Sequence, residues 1–161
     1  MYLERNATRQ DLQLMYHMSL QTYWYQWTIE EWETMLDIRL HHSLRPVVKI
    51  GIEDDRVIGY WIGMQEKDNP LSFYLWRLGV VPHCRGRGLS YHLINSVCSH
   101  ASNNRAHRVY HWTPLFGPEE PEFVGDWWGK VGFRATGETD YPENVYWYGN
   151  CLLYTSPSPR D

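Results

Sequence analysis

The segment from Leu78 to Ser90 constrains the fold of this chain more than any other part of the sequence. An apolar run of strand character stops at Pro82, and Gly86 and Gly88 follow just before a new apolar series with helical spacing. The segment therefore predicts a strand that passes through a glycine-containing turn into a helix. The N–H groups of a helix start favour an anion, and glycine lets that anion approach the main chain. A plain strand–helix turn with surface arginines is the alternative interpretation.

The spacing of apolar residues predicts alternating blocks of helices and strands along the rest of the chain. Thr28 and Glu31 form a capping box before the second helix. The predicted strands cover residues 2–5, 48–52, 57–64, 71–81, 109–113, 133–138 and 145–148, and the predicted helices follow Asn6 or Thr8, follow Thr28, follow Gly88 and cover 123–131.

The fourth strand, residues 71–81, has an irregular alternation. Its apolar residues occupy one parity up to Leu75 and the other parity from Trp76 onward. A one-residue slip of this kind is typical of a β-bulge. A strand that is buried on both faces explains the pattern equally well.

Composition excludes several classes of protein. The chain has 161 residues, is 43% hydrophobic and carries a formal net charge of -4, which is typical of one globular domain with no general attraction to nucleic acid. No run of 18 apolar residues is present, and residues 1–5 have no signal-peptide character. We therefore expect no membrane partner, no nucleic-acid partner and a cytoplasmic location. The oligomeric state stays open.

The last eleven residues, 151–161, do not follow the pattern of the body. They end in alternating serine and proline, and the whole string resembles the translation of a sequencing-library adapter. We expect a single domain over residues 1–150 followed by this foreign stretch. An ordinary disordered tail is the alternative, and the natural C-terminus stays open.

The strand–helix junction does not match the common nucleotide-binding motifs, but it resembles a different motif. It contains neither the P-loop string nor the third glycine of the dinucleotide-binding fingerprint. The run Val80-Val81-Pro82, followed by Arg85-Gly86-Arg87-Gly88, resembles the acetyl-CoA loop of the GNAT family of N-acetyltransferases; Ser90 replaces the usual small residue. The run from Trp128 to Phe133 resembles a second element of that family, and the order of elements is similar over residues 2–149.

This resemblance implies an α/β (α+β) fold of GNAT type. Its expected features are a mixed, mostly antiparallel twisted sheet of six to seven strands, about four helices and a β-bulge in the fourth strand. It implies acetyl-CoA as co-substrate, no metal, and an amine acceptor that is a small molecule or a peptide. The implied CoA-binding residues are Leu78, Val80, Val81, Arg85, Gly86, Arg87, Gly88, Leu89 and Ser90.

The groups that relatives use for proton transfer are not matched here. Trp76 and Arg77 stand where many relatives carry a glutamate base, and Trp128 stands where many carry a tyrosine acid. His111 is our candidate for the base, because an imidazole titrates near neutrality, although a buried structural histidine fits its strand position as well. Further candidates with structural alternatives are His83, Glu122, Asp126, Tyr146 and Tyr148, whereas Cys84 is interpreted as structural because direct transfer needs no nucleophilic cysteine.

Two functions follow from the sequence. The first is acetyl-CoA-dependent transfer of an acyl group to a primary amine, by direct attack while both substrates are bound. The second is a CoA-binding module of the same fold that has weak or no turnover. The segments 23–27 and 139–144 are expected to contact the acceptor.

Overall fold

A computed structural model of the chain describes residues 1–20, 27–41, 46–65, 68–84, 88–114, 133–135 and 146–152. The strands are β1 (Tyr2–Asn6), β2 (Val47–Glu53), β3 (Arg56–Gln65), β4 (Ser72–Val80), β5 (Arg108–Pro114), β6 (Phe133–Ala135) and β7 (Tyr146–Leu152). The helices are α1 (Leu12–Leu20), α2 (Ile29–His41) and α3 (Leu89–Asn103), with short 3-10 turns at Arg9–Asp11 and Pro82–Cys84. No helix in these ranges is long and apolar enough to cross a membrane.

The predicted mixed, mostly antiparallel α/β fold is confirmed. The pairs β1–β2, β2–β3, β5–β7 and β6–β7 are antiparallel, whereas β4–β5 is parallel. Seven strands and three helices lie in the described ranges. The fourth helix, expected over 123–131, lies outside the described residues.

Local sequence rules account for the starts and turns of several elements. The Glu31 side chain accepts from the Thr28 N–H at 3.0 Å, and the Thr28 hydroxyl accepts from the Glu31 N–H at 3.2 Å, which confirms the predicted capping box before α2. The β2–β3 hairpin turns at Asp54 and Asp55, whose φ angles are 50° and 64°. Two central residues with positive φ match the twist of a tight antiparallel hairpin, and aspartate tolerates that conformation.

One compact unit comprises residues 1–64 and 75–97, and its strand order is β1-β2-β3-β4. Its core is formed by apolar side chains of α1, α2, β2 and β3. Among the buried members are Met15, Trp32, Leu36, Val48, Ile50, Tyr60 and Ile62. The Tyr60 ring of this core lies against Gly79, near the end of β4.

The strands β3 and β4 approach each other closely where both carry glycine. A Cβ at Gly59 would lie 2.3 Å from the Gly79 carbonyl oxygen, and a Cβ at Gly79 would lie 2.3 Å from the Tyr60 ring. Both positions therefore exclude any larger residue unless the backbone or the ring moves. This close packing fixes the end of β4 against β3.

The second compact unit comprises residues 65–74 and 98–161. Within it the first residues of β4 pair with β5, and β7 lies between β5 and β6. The Arg108 Nε donates to the buried Ser72 hydroxyl at 2.7 Å, which joins the starts of β4 and β5.

The last strand is longer than the sequence predicts. We expected it to end at Tyr148, whereas β7 continues to Leu152. Cys151 pairs with Val109 on one side and with Phe133 on the other. The first two residues of the stretch 151–161 are thus part of the sheet. The foreign origin of that stretch stays a prediction.

Candidate functional site: the end of β4 and the start of α3

The strand–helix junction is built by a short chain of backbone hydrogen bonds. After β4 ends, the Val81 N–H donates to the Ile58 carbonyl of β3 at 2.8 Å. The Cys84 N–H then donates to the Val81 carbonyl at 2.9 Å and closes the 3-10 turn. Pro82 supplies no N–H for the sheet, which is why the strand stops here. The sequence-predicted residues 85–87 lie outside the described residues.

Gly88 is the described residue whose geometry best fits an anion site. Its φ is +77°, a conformation that glycine adopts readily and most other residues do not. It is exposed, and among the described residues a Cβ there would meet only the Tyr91 ring at 3.9 Å. No described residue therefore fills the space beside its main chain.

The helix that begins after Gly88 adds favourable electrostatics. The α3 helix has 15 residues, and its first turn includes the predicted site residues Leu89 and Ser90. The first N–H groups of a helix have no intrahelical acceptor, and together with the macrodipole they favour negative charge. An anion such as a pyrophosphate suits this combination of a positive-φ glycine and a helix start.

The remaining predicted CoA residues lie at the end of β4. Leu78 and Val80 are both 7% exposed, and Val81 is half-buried. The Leu78 and Val80 side chains therefore belong to the core, and the role of these residues in CoA binding stays a prediction.

A cluster of indoles around Arg77 is the feature that sequence reasoning missed. The Arg77 guanidinium carbon lies 4.1 Å from the ring centroid of Trp27 and 6.0 Å from that of Trp32. The Trp27 ring also contacts Trp32 at 4.8 Å and Trp76 at 5.1 Å. We call these four residues, Trp27, Trp32, Trp76 and Arg77, the indole box.

The sequence contained a partial signal for the indole box. Trp27 ends the aromatic segment that we assigned to the acceptor, while Trp76 and Arg77 were noted only as replacements for a glutamate. Both of these consecutive β4 side chains contact Trp27, although regular alternation sends neighbours to opposite faces. A bulge re-aims a side chain in this way, and the bulge in β4 stays a prediction.

His111, our candidate base, is buried in the second unit. It is 3% exposed, and its ring meets the Phe133 ring edge-on at a centroid distance of 4.7 Å. Burial lowers the pKa of His111 to about 3, because the charged imidazolium loses its hydration. The imidazole is therefore neutral at physiological pH.

The other candidates separate into described and undescribed residues. His83 is exposed, and the Cys84 side chain is buried at 6% exposure. Tyr146 and Tyr148 lie in β7. Glu122 and Asp126, like the segments 23–26 and 139–144, lie outside the described residues. Within the described part of the chain, no cluster of three or more histidine, cysteine, aspartate or glutamate side chains is arranged to hold a metal ion.

Comparison with known proteins identifies the family. The model of the acetyltransferase (GNAT) family matches residues 9–115, more than half of the chain. The chain belongs to the GNAT acetyltransferase family. A search of curated proteins found no match.

Solved structures with the same fold cover nearly the whole chain. A GNAT-family acetyltransferase from Desulfovibrio desulfuricans is 18% identical, with a TM-score of 0.75 and coverage of 94% of this chain and 99% of its own. The spermidine N-acetyltransferase of Vibrio cholerae in complex with CoA and spermine is 14% identical, with a TM-score of 0.75 and 96% coverage of both chains. The ribosomal-protein-S18-alanine N-acetyltransferase of Escherichia coli is 10% identical, with a TM-score of 0.69 and coverage of 99% and 98%.

Proposed function

We propose that this protein is an acetyl-CoA-dependent N-acetyltransferase that acts on a primary amine of a small molecule or a peptide. The observation that carries the proposal is Gly88, an exposed residue with positive φ directly before a 15-residue helix, in a chain of the GNAT family. The main chain at Leu78 and Val80 would bind the pantetheine arm, and the loop that ends at Gly88 would bind the pyrophosphate.

The proposed reaction joins the two substrates directly. The neutral amine nitrogen attacks the thioester carbonyl carbon, so that a C–N bond forms and the C–S bond breaks. The amine loses one proton, and the departing thiolate gains one. Holding both substrates in attack geometry supplies much of the rate, so the chain's main task is to bind and orient.

His111 remains the proposed base, and its burial defines what it can do. A neutral imidazole accepts a proton, but a group whose pKa is about 3 is a weak base toward an ammonium ion. Bulk water that removes the proton from the acceptor is the competing account.

The second candidate function, a CoA-binding module with weak or no turnover, is supported by one described feature. The β4 positions where many relatives carry a glutamate base hold Trp76 and Arg77, and neither side chain accepts a proton from an ammonium ion. Binding without transfer would then be the outcome.

Two measurements on the whole chain separate these functions. Calorimetric titration with CoA tests binding, and release of free thiol from acetyl-CoA across a panel of amines tests transfer. Binding with amine-dependent thiol release supports the enzyme, whereas binding without it supports the module. Failure to bind CoA rejects both.

The CoA site itself is tested at Gly88. We expect Gly88→Val to lower CoA affinity by on the order of 100-fold, because the side chain enters the space beside the main chain and resists positive φ. Gly88→Asn is the matched control, since asparagine tolerates this conformation while adding similar bulk. If both variants lose CoA affinity, the added side chain blocks the approach of CoA to the main chain. A folded Gly88→Val protein with parental affinity would place the site elsewhere.

A further inference from the structure

Tyr91 is an aromatic side chain that faces solvent at the start of α3. It is 43% exposed, and it alone is exposed among the phenylalanine, tyrosine and tryptophan side chains whose burial the structure describes. The core face of α3 is formed by other residues, among them the buried Leu93, Ile94 and Val97. A large part of the Tyr91 ring can therefore still be covered by a ligand, and covering an aromatic ring is favourable.

The ring lies beside the residue that we assign to the pyrophosphate. The Tyr91 N–H donates to the Gly88 carbonyl at 3.1 Å, in the first turn of the helix. Side chains on a helix lean toward its N-terminus, so that the Tyr91 ring leans back over this turn. Its Cδ2 atom lies 3.9 Å from the position that a Cβ on Gly88 would occupy. The exposed ring and the proposed anion site are therefore neighbours.

The chemistry of CoA supplies a partner for such a ring. Its pyrophosphate carries the pantetheine arm on one side and, through a single ribose, adenine on the other. Since the pantetheine arm is proposed to follow the main chain of Leu78 and Val80, the adenosine must leave the pyrophosphate in another direction. Adenine is a flat π system, and bases stack on aromatic side chains without any need for hydrogen bonds.

We propose that Tyr91 is a specificity-determining residue whose ring stacks on the adenine of CoA. This inference rests on the proposed acetyltransferase function, since it locates adenine through the pyrophosphate at Gly88. The role needs the ring and not the hydroxyl group. Tyr91 thereby favours CoA over acyl carriers that hold the same thioester arm without a nucleotide.

The test compares two ligands in the whole chain and in three variants. CoA is paired with 4′-phosphopantetheine, which keeps the thiol arm and one phosphate but lacks adenosine. Calorimetry measures the dissociation constant of CoA, and competition with CoA measures that of 4′-phosphopantetheine. Tyr91→Ala removes the ring, and Tyr91→Phe removes only the hydroxyl. His92→Ala is the matched control, because the exposed His92 ring is already stacked on Tyr2 at a centroid distance of 5.1 Å.

We expect Tyr91→Ala to weaken CoA binding by about tenfold, a typical contribution of one stacked base. Tyr91→Phe and His92→Ala should keep the parental affinity for CoA. All three variants should bind 4′-phosphopantetheine like the parent, because that ligand has no adenine. A ring that only stabilised the start of α3 would instead change the binding of both ligands alike.

Three results would overturn the inference: parental CoA affinity in Tyr91→Ala, an equal loss for both ligands, or a similar loss in Tyr91→Phe or His92→Ala. All three leave the proposed function standing, because the parent protein still binds CoA. If Tyr91→Ala does not fold, Tyr91→Leu replaces it, since leucine is apolar but offers no π face. If the parent protein does not bind CoA, the proposed function fails, and the inference fails with it.

Discussion

Arg77 and His111 are two buried basic side chains that lie against aromatic rings, one in each compact unit, and they differ in charge. Arg77 is 5% exposed and its guanidinium carbon lies over the Trp27 ring at 4.1 Å, while His111 is 3% exposed and meets Phe133 edge-on. The guanidinium keeps its proton in proteins, whereas burial lowers the pKa of the imidazole to about 3. Similar burial therefore yields a fixed cation in one place and a neutral ring in the other.

The difference lies in the proton affinity of the side chain and in the ring geometry. A face-on indole offers its negative π surface to a cation, whereas ring edges carry partial positive charge. Guanidinium is also less strongly hydrated than a compact cation, so that burying it costs less. A chain that needs a permanent charge in its core uses arginine, and one that needs a neutral polar ring there can use histidine.

The largest expected effect comes from removing the indole that covers Arg77. Trp27→Ala should lower the free energy of unfolding by about 3–5 kcal/mol, the usual cost of emptying a buried tryptophan site. Trp61→Ala is the matched control, since Trp61 is fully buried in the same unit outside the box, where its Nε1 donates to Ser96 at 3.2 Å. Urea denaturation should show similar losses for both.

The two tryptophan variants differ in their effect on Arg77, because only Trp27→Ala removes the ring that the guanidinium carbon contacts at 4.1 Å. A loss of stability for Trp27→Ala that is clearly smaller than the loss for Trp61→Ala would contradict a stabilising contact between the indole and the cation.

The next effect concerns His111 in catalysis. If His111 is the base, His111→Ala should lower turnover by about 10²-fold, the lower end of the usual range, because a pKa of about 3 makes it a weak acceptor. CoA affinity should stay unchanged. The rate should show no imidazole step near pH 6–7, since the ring is already neutral there. Should the variant keep its turnover, and the pH profile follow the pKa of each acceptor, water is the base.

The sequence predicted the parts of the molecule that depend on neighbouring residues. Pro82 ends β4 and Gly88 precedes α3 because of their own backbone restrictions, and Thr28 with Glu31 caps α2 across three residues. Such rules act locally and can be applied without a fold.

The indole box could not be predicted in this way. Trp27 meets Trp76 only after α2, β2 and β3 have been placed, so no spacing rule joins them. His111 was found by its residue type, but its neutral state depends on burial that only the fold provides. The length of β7 was underestimated because the composition of 151–161 separated Cys151 from the strand that it continues.

A pH titration of stability sharpens the contrast between the two basic residues. The pKa of His111 is about 6.5 in the unfolded chain and is lower in the folded chain. The contribution of the neutral His111 side chain to the free energy of unfolding is therefore complete above pH 6.5 and is lost as the pH falls toward 3. Between pH 7 and pH 5 this loss amounts to about 2 kcal/mol. When unfolding by denaturant is measured at each pH, the free energy of unfolding of His111→Gln should not change in this way between pH 7 and pH 5. That of Arg77→Gln should show the same change as the parent protein.

A carboxylate must be separated from this effect at lower pH. The hydrogen bond from Arg5 at 2.7 Å lowers the pKa of Asp11 in the folded chain. The contribution of the Asp11 carboxylate to the free energy of unfolding is therefore present above the ordinary aspartate pKa and is lost as the pH falls through the lower folded value. Asp11→Asn should therefore change the profile below about pH 4 and leave the interval from 7 to 5 unchanged. An unchanged slope in His111→Gln over that interval would contradict the buried neutral state.

The smallest effect is expected at the end of the chain, where β7 pairs with the strand that contains His111. His111 pairs with Gly149 across β5 and β7, and β7 continues to Leu152. Removing residues 153–161 should leave the melting temperature and the CoA affinity unchanged, because that stretch is dominated by serine, proline and charged residues that supply little apolar surface for burial.

Removing 151–161 takes away the pairing of Cys151 and Leu152 with β5 and should lower the melting temperature by a few degrees, about 4 °C for a loss on the order of 1 kcal/mol. Equal melting temperatures for the two truncations would mean that β7 is stable without its last two residues. A large loss from the shorter truncation would show that residues beyond Leu152 contribute to folding.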